Sequence, residues 1–359
     1  MVSTSATTAI RLPESVDAID ADFLTAALAE RHRDVEVASV SVGTTHSGTS
    51  SAVALNLRYV RNGAGLPERM LLKSSFATHE FAAGDLSTTE AQFYRDVAPL
   101  VDASVNRPVG YFGGVDATGR AVVLMEDLTD RLADFGEPTV PVSVDEVAQG
   151  IEQLAALHAQ FWDPTALQPF PWLGRTADII AIMRFLVTPE HFARYIHRAP
   201  NGIDPKLRDR AIIAAALEEM FVIGAGLPQT LVHGDPHLGN TFRERDGAPG
   251  FLDWQFAGEA PYIWDVTYYL TGALDPADRR MAERDLLDIY RRSLSVHGVD
   301  APSADVMWLA HRQHVLHGYL SLFVPPESQP ETFAVTMGER FALAATDLDT
   351  ISALHGGTR

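Results

Sequence analysis

Near residue 126 the hydrophobic pattern of this sequence changes period. Before that point apolar and polar residues alternate in short runs, the signature of half-buried strands. Val35 to Val42 reads VEVASVSV, Ala52 to Val60 alternates again, and Arg69 to Ser74 supplies a third strand. Val109 to Phe112 and Ala121 to Met125, joined by a Gly-rich turn, add two more. The small-residue stretch from Gly43 to Ser51 predicts a hairpin with an unusually wide loop between the first two strands. An amphipathic helix capped by Asp20 or Asp22 precedes them, and Ser87, three residues before Glu90, predicts a capping box opening another. Beyond residue 130 helical spacing dominates, over Val144 to Trp162, Ala177 to Leu186, Pro189 to Arg198 and Leu207 to Ile223. Strands first and helices after predict an α+β protein in two domains, 1–126 and 127–359.

At 359 residues the chain is long enough for two cores. A net charge of −19 argues against nucleic acid, whose phosphates need a basic surface. There is no cysteine, so disulfides, thiolate metal sites and thiol nucleophiles are excluded. The N-terminal residues lack a basic stretch followed by an apolar one, so no signal peptide is expected. The most apolar helical stretch, Ala211 to Leu227, is too short and carries Glu218 and Glu219, so no membrane insertion is expected. Together these predict a cytoplasmic protein.

The chemistry concentrates in residues 231–242, LVHGDPHLGNTF, an apolar strand, a polar loop and apolar residues again. Asp235 stands two residues after His233 and five before Asn240, the spacing of a kinase catalytic loop. In that loop the Asp accepts the proton of the attacking hydroxyl and the Asn binds magnesium. Phe251-Leu-Asp253 follows a turn, as a short strand expected to pair with the first and bring Asp235, Asn240 and Asp253 to one mouth. A carboxylate and an amide oxygen suit a hard cation such as Mg²⁺. An Asp or Asn in a loop is also an ordinary turn residue, so the weight rests on the combination.

His233, Asp235 and His237 also allow an HxDxH metal cluster of hydrolase type, although the remaining histidines supply no convincing second set. His311, His314 and His317 lie three apart on a helix, where a packed face competes with metal chelation. The chain has only two lysines, Lys73 and Lys206, which singles out Lys73 on its apolar strand. Lys73 with Glu90 fits the ion pair that positions a phosphate-binding lysine, and Glu90 as a mere capping residue is the alternative. The loop containing Ser47, Gly48, Thr49 and Ser50 has backbone donors and hydroxyls suited to phosphates, without a GxGxxG pattern.

MLLKSS, EAQFYR, VVLMEDL, LAALHAQFW, HGDPHLGN, FLDWQ and PYIWDVTYYL together resemble the aminoglycoside phosphotransferase and choline kinase superfamily, with its protein-kinase-like fold. The long loop, EAQFYR and DWQ are most similar to its ecdysteroid-kinase-like branch. The resemblance implies a bilobal molecule: a five-stranded antiparallel N-lobe with a helix, residues 1–126, binding nucleotide phosphates, and a mostly helical C-lobe, residues 127–359. It implies ATP and Mg²⁺, with Asp235 as catalytic base, Asn240 and Asp253 as magnesium ligands, Lys73 as phosphate lysine and Glu90 as its partner. Met125 to Leu128, including Glu126, match the hinge that meets adenine. Asp265 matches a residue supporting the catalytic loop, His233 is a further supporting residue, and His158 is read as a packing histidine.

The expected reaction is transfer of the ATP γ-phosphoryl group to a hydroxyl of a small organic molecule. Trp172, Phe185, Phe192, Tyr195, Trp308, Tyr319 and Phe323 are expected around the acceptor, while Asp178, Glu190 and Asp204 are scattered. A non-antibiotic, lipophilic alcohol is therefore preferred to an aminoglycoside. The remaining alternatives are a nucleotide-binding pseudokinase and a metal-dependent hydrolase.

Overall fold

The computed structural model describes residues 10–47, 51–74, 76, 86–131, 134–174 and 176–356. The chain divides into two units, one of residues 1–100 and 108–130, the other of residues 101–107 and 131–359.

In the first unit α1 (Ala21–Ala29) begins at Asp20, whose side chain accepts the Phe23 N–H. Strands β1 (Val35–Ser47), β2 (Ser51–Asn62), β3 (Arg69–Ser74), β4 (Gly110–Val115) and β5 (Ala121–Glu126) form one antiparallel sheet in the order β1-β2-β3-β5-β4. Alternation along β3 places Met70, Leu72 and Ser74 in the interior, with Met70 and Leu72 in a core shared with Phe23, Leu24, Val53, Leu55 and Phe112. The expected wide loop is corrected: small residues did not end the strands, and Ser47 pairs with Ser51. Gly48, Thr49 and Ser50 lie outside the described residues.

Helix α2 (Leu86–Gln92) runs on into a wider π-type turn over Phe93–Val97. Ser87 is already inside this helix, which corrects the expected capping box; the Glu90 side chain is used elsewhere. Helix α2 lies very close on β4, because a Cβ at Gly113 would strike the Ala91 carbonyl oxygen. That approach carries Glu90 over the sheet.

The second unit is helical around two short ribbons, one of two strands and one of three. Its helices are α3 (Val144–Gln160), α4 (Thr176–Leu186), α5 (Pro189–Tyr195), α6 (Arg210–Ala225), α7 (Ile263–Ala273), α8 (Pro276–Val296), α9 (Ala304–Tyr319), α10 (Glu331–Asp347) and α11 (Thr350–Gly356). Ser143 and Glu146 close a reciprocal capping box on α3, whose buried face repeats through Val147, Ile151, Leu154 and His158. Every residue of α7 is buried, so this helix forms the centre of the unit. No described helix is long and apolar enough to cross a membrane.

The ribbons set the candidate site. Strand β7 (Gln229–Val232) pairs with β10 (Gly258–Pro261), whereas β8 (Thr241–Arg243) pairs with both β9 (Pro249–Phe251) and β6 (Asp134–Phe135). The expected pairing of the Phe251 strand with the strand leading into the loop is therefore corrected: its partner is the strand leaving the loop. Chain connectivity explains this, because the five residues between β8 and β9 close a local hairpin.

Candidate functional site

In the first unit, Lys73 projects from β3 to the Glu90 carboxylate on α2, with Nζ 3.0 Å from Oε1 and 2.8 Å from Oε2. Both side chains are largely buried, so the ion pair is little screened by solvent. Glu126 ends β5 opposite Met70, and its backbone N–H donates to the Val109 carbonyl. Leu128 is buried at the start of a tight turn over Leu128–Arg131. Asp127 holds that turn by accepting from the Thr129 N–H and hydroxyl, and from the Arg69 guanidinium at 2.7 Å.

In the second unit, the loop between β7 and β8 is held by buried groups on three sides. Gly234 has φ +87°, and a Cβ there would run into the Phe256 carbonyl oxygen, so only glycine fits. Asp265, in the first turn of α7 and fully buried, accepts the His233 N–H at 2.6 Å and the Gly234 N–H at 2.9 Å. It also accepts from His158 Nε2 at 3.2 Å, which leaves His158 Nδ1 to accept the Tyr290 hydroxyl at 2.7 Å. Burial would raise the Asp265 carboxyl pKa, but the His158 and Gly234 donors outweigh it and hold the group below the usual carboxylate range. His158 therefore does more than pack: it links α3 and α8 to the carboxylate under the loop.

His233 is also consumed by structure. Its Nε2–H donates to the Leu252 carbonyl at 2.9 Å, and Nδ1 accepts the Asp235 N–H at 3.3 Å. Burial lowers its pKa, keeping the ring neutral. That geometry corrects the HxDxH metal reading, and among the described residues no group of three or more His, Cys, Asp or Glu is placed to hold a metal ion.

Asp235 follows at the loop tip. Asn240 Nδ2 donates to the Asp235 carbonyl at 3.0 Å and to its Oδ2 at 3.2 Å. His237 Nε2 stands 3.4 Å from the same Oδ2, and its ring lies 4.8 Å from Phe333. The Leu252 N–H donates to the Asn240 carbonyl, so the two ends of the β8–β9 hairpin bring Asp253 back beside Asn240. Asp253 has φ +64°, a left-handed conformation that costs about 1–3 kcal/mol outside glycine and gathers at functional sites. The residue types suit a divalent cation: the Asn240 nitrogen is turned to Asp235, and an amide oxygen and a carboxylate such as that of Asp253 are hard-cation ligands.

Residues 51–296 match the phosphotransferase enzyme family APH. The chain belongs to that family. Among solved structures, choline kinase from Cryptosporidium parvum is 12% identical, covers 87% of this chain and 89% of its own, and superposes with a TM-score of 0.54. The macrolide 2'-phosphotransferase of Brachybacterium faecium is 17% identical over 83% of this chain and 91% of its own, with a TM-score of 0.44. Ethanolamine kinase from Plasmodium vivax is 11% identical over 83% and 80%, with a TM-score of 0.46. No curated protein sequence matches the chain. The five-stranded antiparallel sheet and helical second unit are the protein-kinase-like fold of the choline kinase. The family is one of phosphotransferase enzymes.

The aromatic residues expected around an acceptor are largely core in this phosphotransferase. Phe192 stacks on Phe323 at 4.8 Å, Tyr319 meets Phe323 edge-on, and the Tyr319 hydroxyl donates to the Leu207 carbonyl. Trp308 lies under the Arg284 guanidinium against α8. Asp178 and Glu190 are exposed, and Asp204 accepts from the Lys206 N–H at the start of a short turn. Sequence reasoning assigned no role to Tyr268 on α7 or His317 on α9, whose rings pack together at 5.1 Å. Tyr268 sits in a helix without amphipathic period, and His317 was grouped with His311 and His314, which are fully buried.

Burial lowers the pKa of His314 and of His317 to about 4, against an ordinary 6.5. The unfolded chain therefore binds more protons between these values, and stability rises with pH through that window. The stabilisation is full above about pH 6.5 and lost as pH falls toward 4. Lowering the pH from 7 to 5 is expected to cost about 2 kcal/mol per histidine. Urea midpoints across that range check it; His314→Gln should flatten the slope, and an unchanged slope contradicts the assignment.

Proposed function

We propose that this phosphotransferase moves the γ-phosphoryl group of ATP to a hydroxyl of a small organic molecule other than an aminoglycoside. The observation that carries the proposal is the Asp235–Asn240 hydrogen bond with Asp253 returned beside it by the β8–β9 hairpin. A phosphoryl transfer asks a protein mainly for positioning and charge stabilisation, with one group to take the hydroxyl proton. Asp235 is that group: as the acceptor oxygen bonds to the γ-phosphorus, the bond to the β-phosphate oxygen breaks, the hydroxyl proton passes to the carboxylate, and ADP leaves. Asn240 and Asp253 would hold Mg²⁺, which when bound offsets charge on the phosphate oxygens. The Lys73 ammonium, paired with Glu90, would serve the α- and β-phosphates. Glu126 and Leu128 would offer backbone groups for adenine. His233 and Asp265 support the loop without touching the reacting atoms. The motifs EAQFYR and FLDWQ favour the ecdysteroid-kinase-like branch.

ADP release over a panel of sterols, terpenols, amino alcohols and aminoglycosides tests the proposal. A non-aminoglycoside alcohol is expected to stimulate release, and stimulation confined to aminoglycosides would count against it. Lys73→Ala is expected to raise KM for ATP by about 10- to 100-fold, the worth of one charge-assisted hydrogen bond to phosphate. An unchanged KM for ATP would remove Lys73 from the nucleotide site.

A further inference from the structure

The proposed reaction gives no task to His237, although its side chain lies against the Asp235 carboxylate. Its Nε2 is 3.4 Å from Asp235 Oδ2, the oxygen that also accepts from Asn240 Nδ2 at 3.2 Å. The histidine side chain is 14% exposed and the aspartate side chain 20%, so the pair is largely shielded from solvent. The loop backbone closes around the same contact. The His237 N–H donates to the Asp235 carbonyl at 2.9 Å, and the Asn240 N–H donates to the His237 carbonyl at 2.8 Å. Both side-chain donors thus reach one carboxylate oxygen from within one tight turn.

The His237 ring is held by its neighbours. The Phe333 ring of α10 lies 4.8 Å from it, tilted by 57°. Gly239 leaves room for it, because a Cβ there would stand 2.9 Å from His237 Cε1, 3.0 Å from Nδ1 and 2.9 Å from Pro138 Cγ. The Pro138 carbonyl accepts in turn from the Arg340 guanidinium at 3.1 Å. Arg340 follows Phe333 by two turns of α10, so one face of that helix supports both the ring and the proline beside it. The partners also assign the ring proton. Nδ1 is buried and has no hydrogen-bond partner among the described residues. A proton there would be a buried donor left unsatisfied, which costs more than a bare lone pair. The proton therefore sits on Nε2, facing the carboxylate.

We propose that His237 is a positioning residue for the catalytic base: its Nε2–H and the Asn240 amide together hold Asp235 Oδ2 and fix the rotation of the carboxylate. An oxygen that already faces two N–H donors is the less basic of the two, so the hydroxyl proton of the acceptor passes to Oδ1. The 3.4 Å separation is longer than a firm hydrogen bond, and it is expected to shorten once substrates fill the site, as catalytic hydrogen bonds commonly do. In this role His237 acts through Asp235 and touches neither nucleotide nor acceptor. The inference rests on the phosphotransferase proposal and deepens it.

Two measurements test it. Nitrogen NMR of the protein labelled with ¹⁵N-histidine should show His237 protonated at Nε2 and bare at Nδ1, with the signal assigned by its loss in His237→Gln. A proton on Nδ1 instead overturns the proposal without any substrate. The second is steady-state ADP release from magnesium-ATP, with water and with each alcohol of the panel above as acceptor. His237→Leu, which fills the space without a donor, is expected to lower kcat about tenfold, the loss of one hydrogen bond to a charged group, with KM for ATP unmoved. His237→Gln places an amide nitrogen where Nε2 stood and is expected to recover most of that loss. His237→Asn places it where Nδ1 stood and is expected to recover little. Full kcat in His237→Leu, equal recovery by the two amides, or a KM for ATP that moves with kcat overturns the role. If His237→Leu folds poorly, the comparison of the two amides decides. Asp235→Ala separates the levels: if it turns over like the wild type, the phosphotransferase proposal fails. If it is inactive while His237→Leu and His237→Asn turn over like the wild type, only the role of His237 fails.

Discussion

Asp235→Ala is expected to lower kcat by about 10³-fold while leaving ATP affinity within about threefold. The size follows from the worth of a positioned general base, roughly 10²- to 10⁴-fold. The selectivity follows from how the chain divides its labour. In the proposed site Lys73, Glu90 and the backbone near Glu126 serve the nucleotide, and none of them depends on the Asp235 carboxylate. The side chain makes one firm contact, from Asn240 Nδ2, and Asn240 keeps its other bond to the Asp235 backbone carbonyl in the variant. The loop therefore keeps its course when the carboxylate is lost. Thermal unfolding should change little, and nucleotide titration by fluorescence or calorimetry should read near-normal affinity. A variant that retained full turnover would remove Asp235 from the chemistry.

The second large effect is expected at Asp265, and it falls on stability as much as on activity. Asp265→Ala leaves the His233 and Gly234 N–H groups and His158 Nε2 without their acceptor, all in a buried setting. Each such group costs about 1–3 kcal/mol when unsatisfied, with partial relief where water enters, so a loss of about 4 kcal/mol is expected. That is a large share of the 5–15 kcal/mol typical of a folded protein. Turnover should fall in the fraction that remains folded, because the two N–H groups fix the backbone immediately before Asp235. Urea denaturation reads the first effect and active-site-normalised kcat the second. A midpoint within experimental scatter of the wild type would show that Asp265 does not carry the loop.

How much of this was legible in the sequence depends on what each residue had to do. Strand β3 was readable end to end, because Arg69 to Ser74 combines alternation with turn residues before it. The first hairpin was misread because Gly43 to Ser51 has the composition of a loop, yet small residues in a twisted pair still form ladder hydrogen bonds. Helix α7 left no periodic signal, since a helix buried on every side shows no polar face to read. The capping box at Ser87 was local chemistry overridden by a tertiary partner, Lys73, which takes the Glu90 carboxylate. The linear spacing of His233, Asp235 and Asn240 was legible because one loop carries all three. The bonds from Tyr290 through His158 to Asp265 join segments far apart in sequence. No local pattern encodes them.

The most direct test of the central claim follows the phosphorus atom itself. Phosphorus NMR of a reaction containing the protein, ATP, magnesium and the stimulating alcohol should show the γ-phosphate resonance replaced by one phosphate monoester and ADP, in equal amounts. The same mixture with Asp235→Ala should show ATP unchanged over that time. Inorganic phosphate in place of the ester, or equal ester formation by the variant, would contradict the assignment of Asp235 as the base of a hydroxyl-directed phosphotransferase.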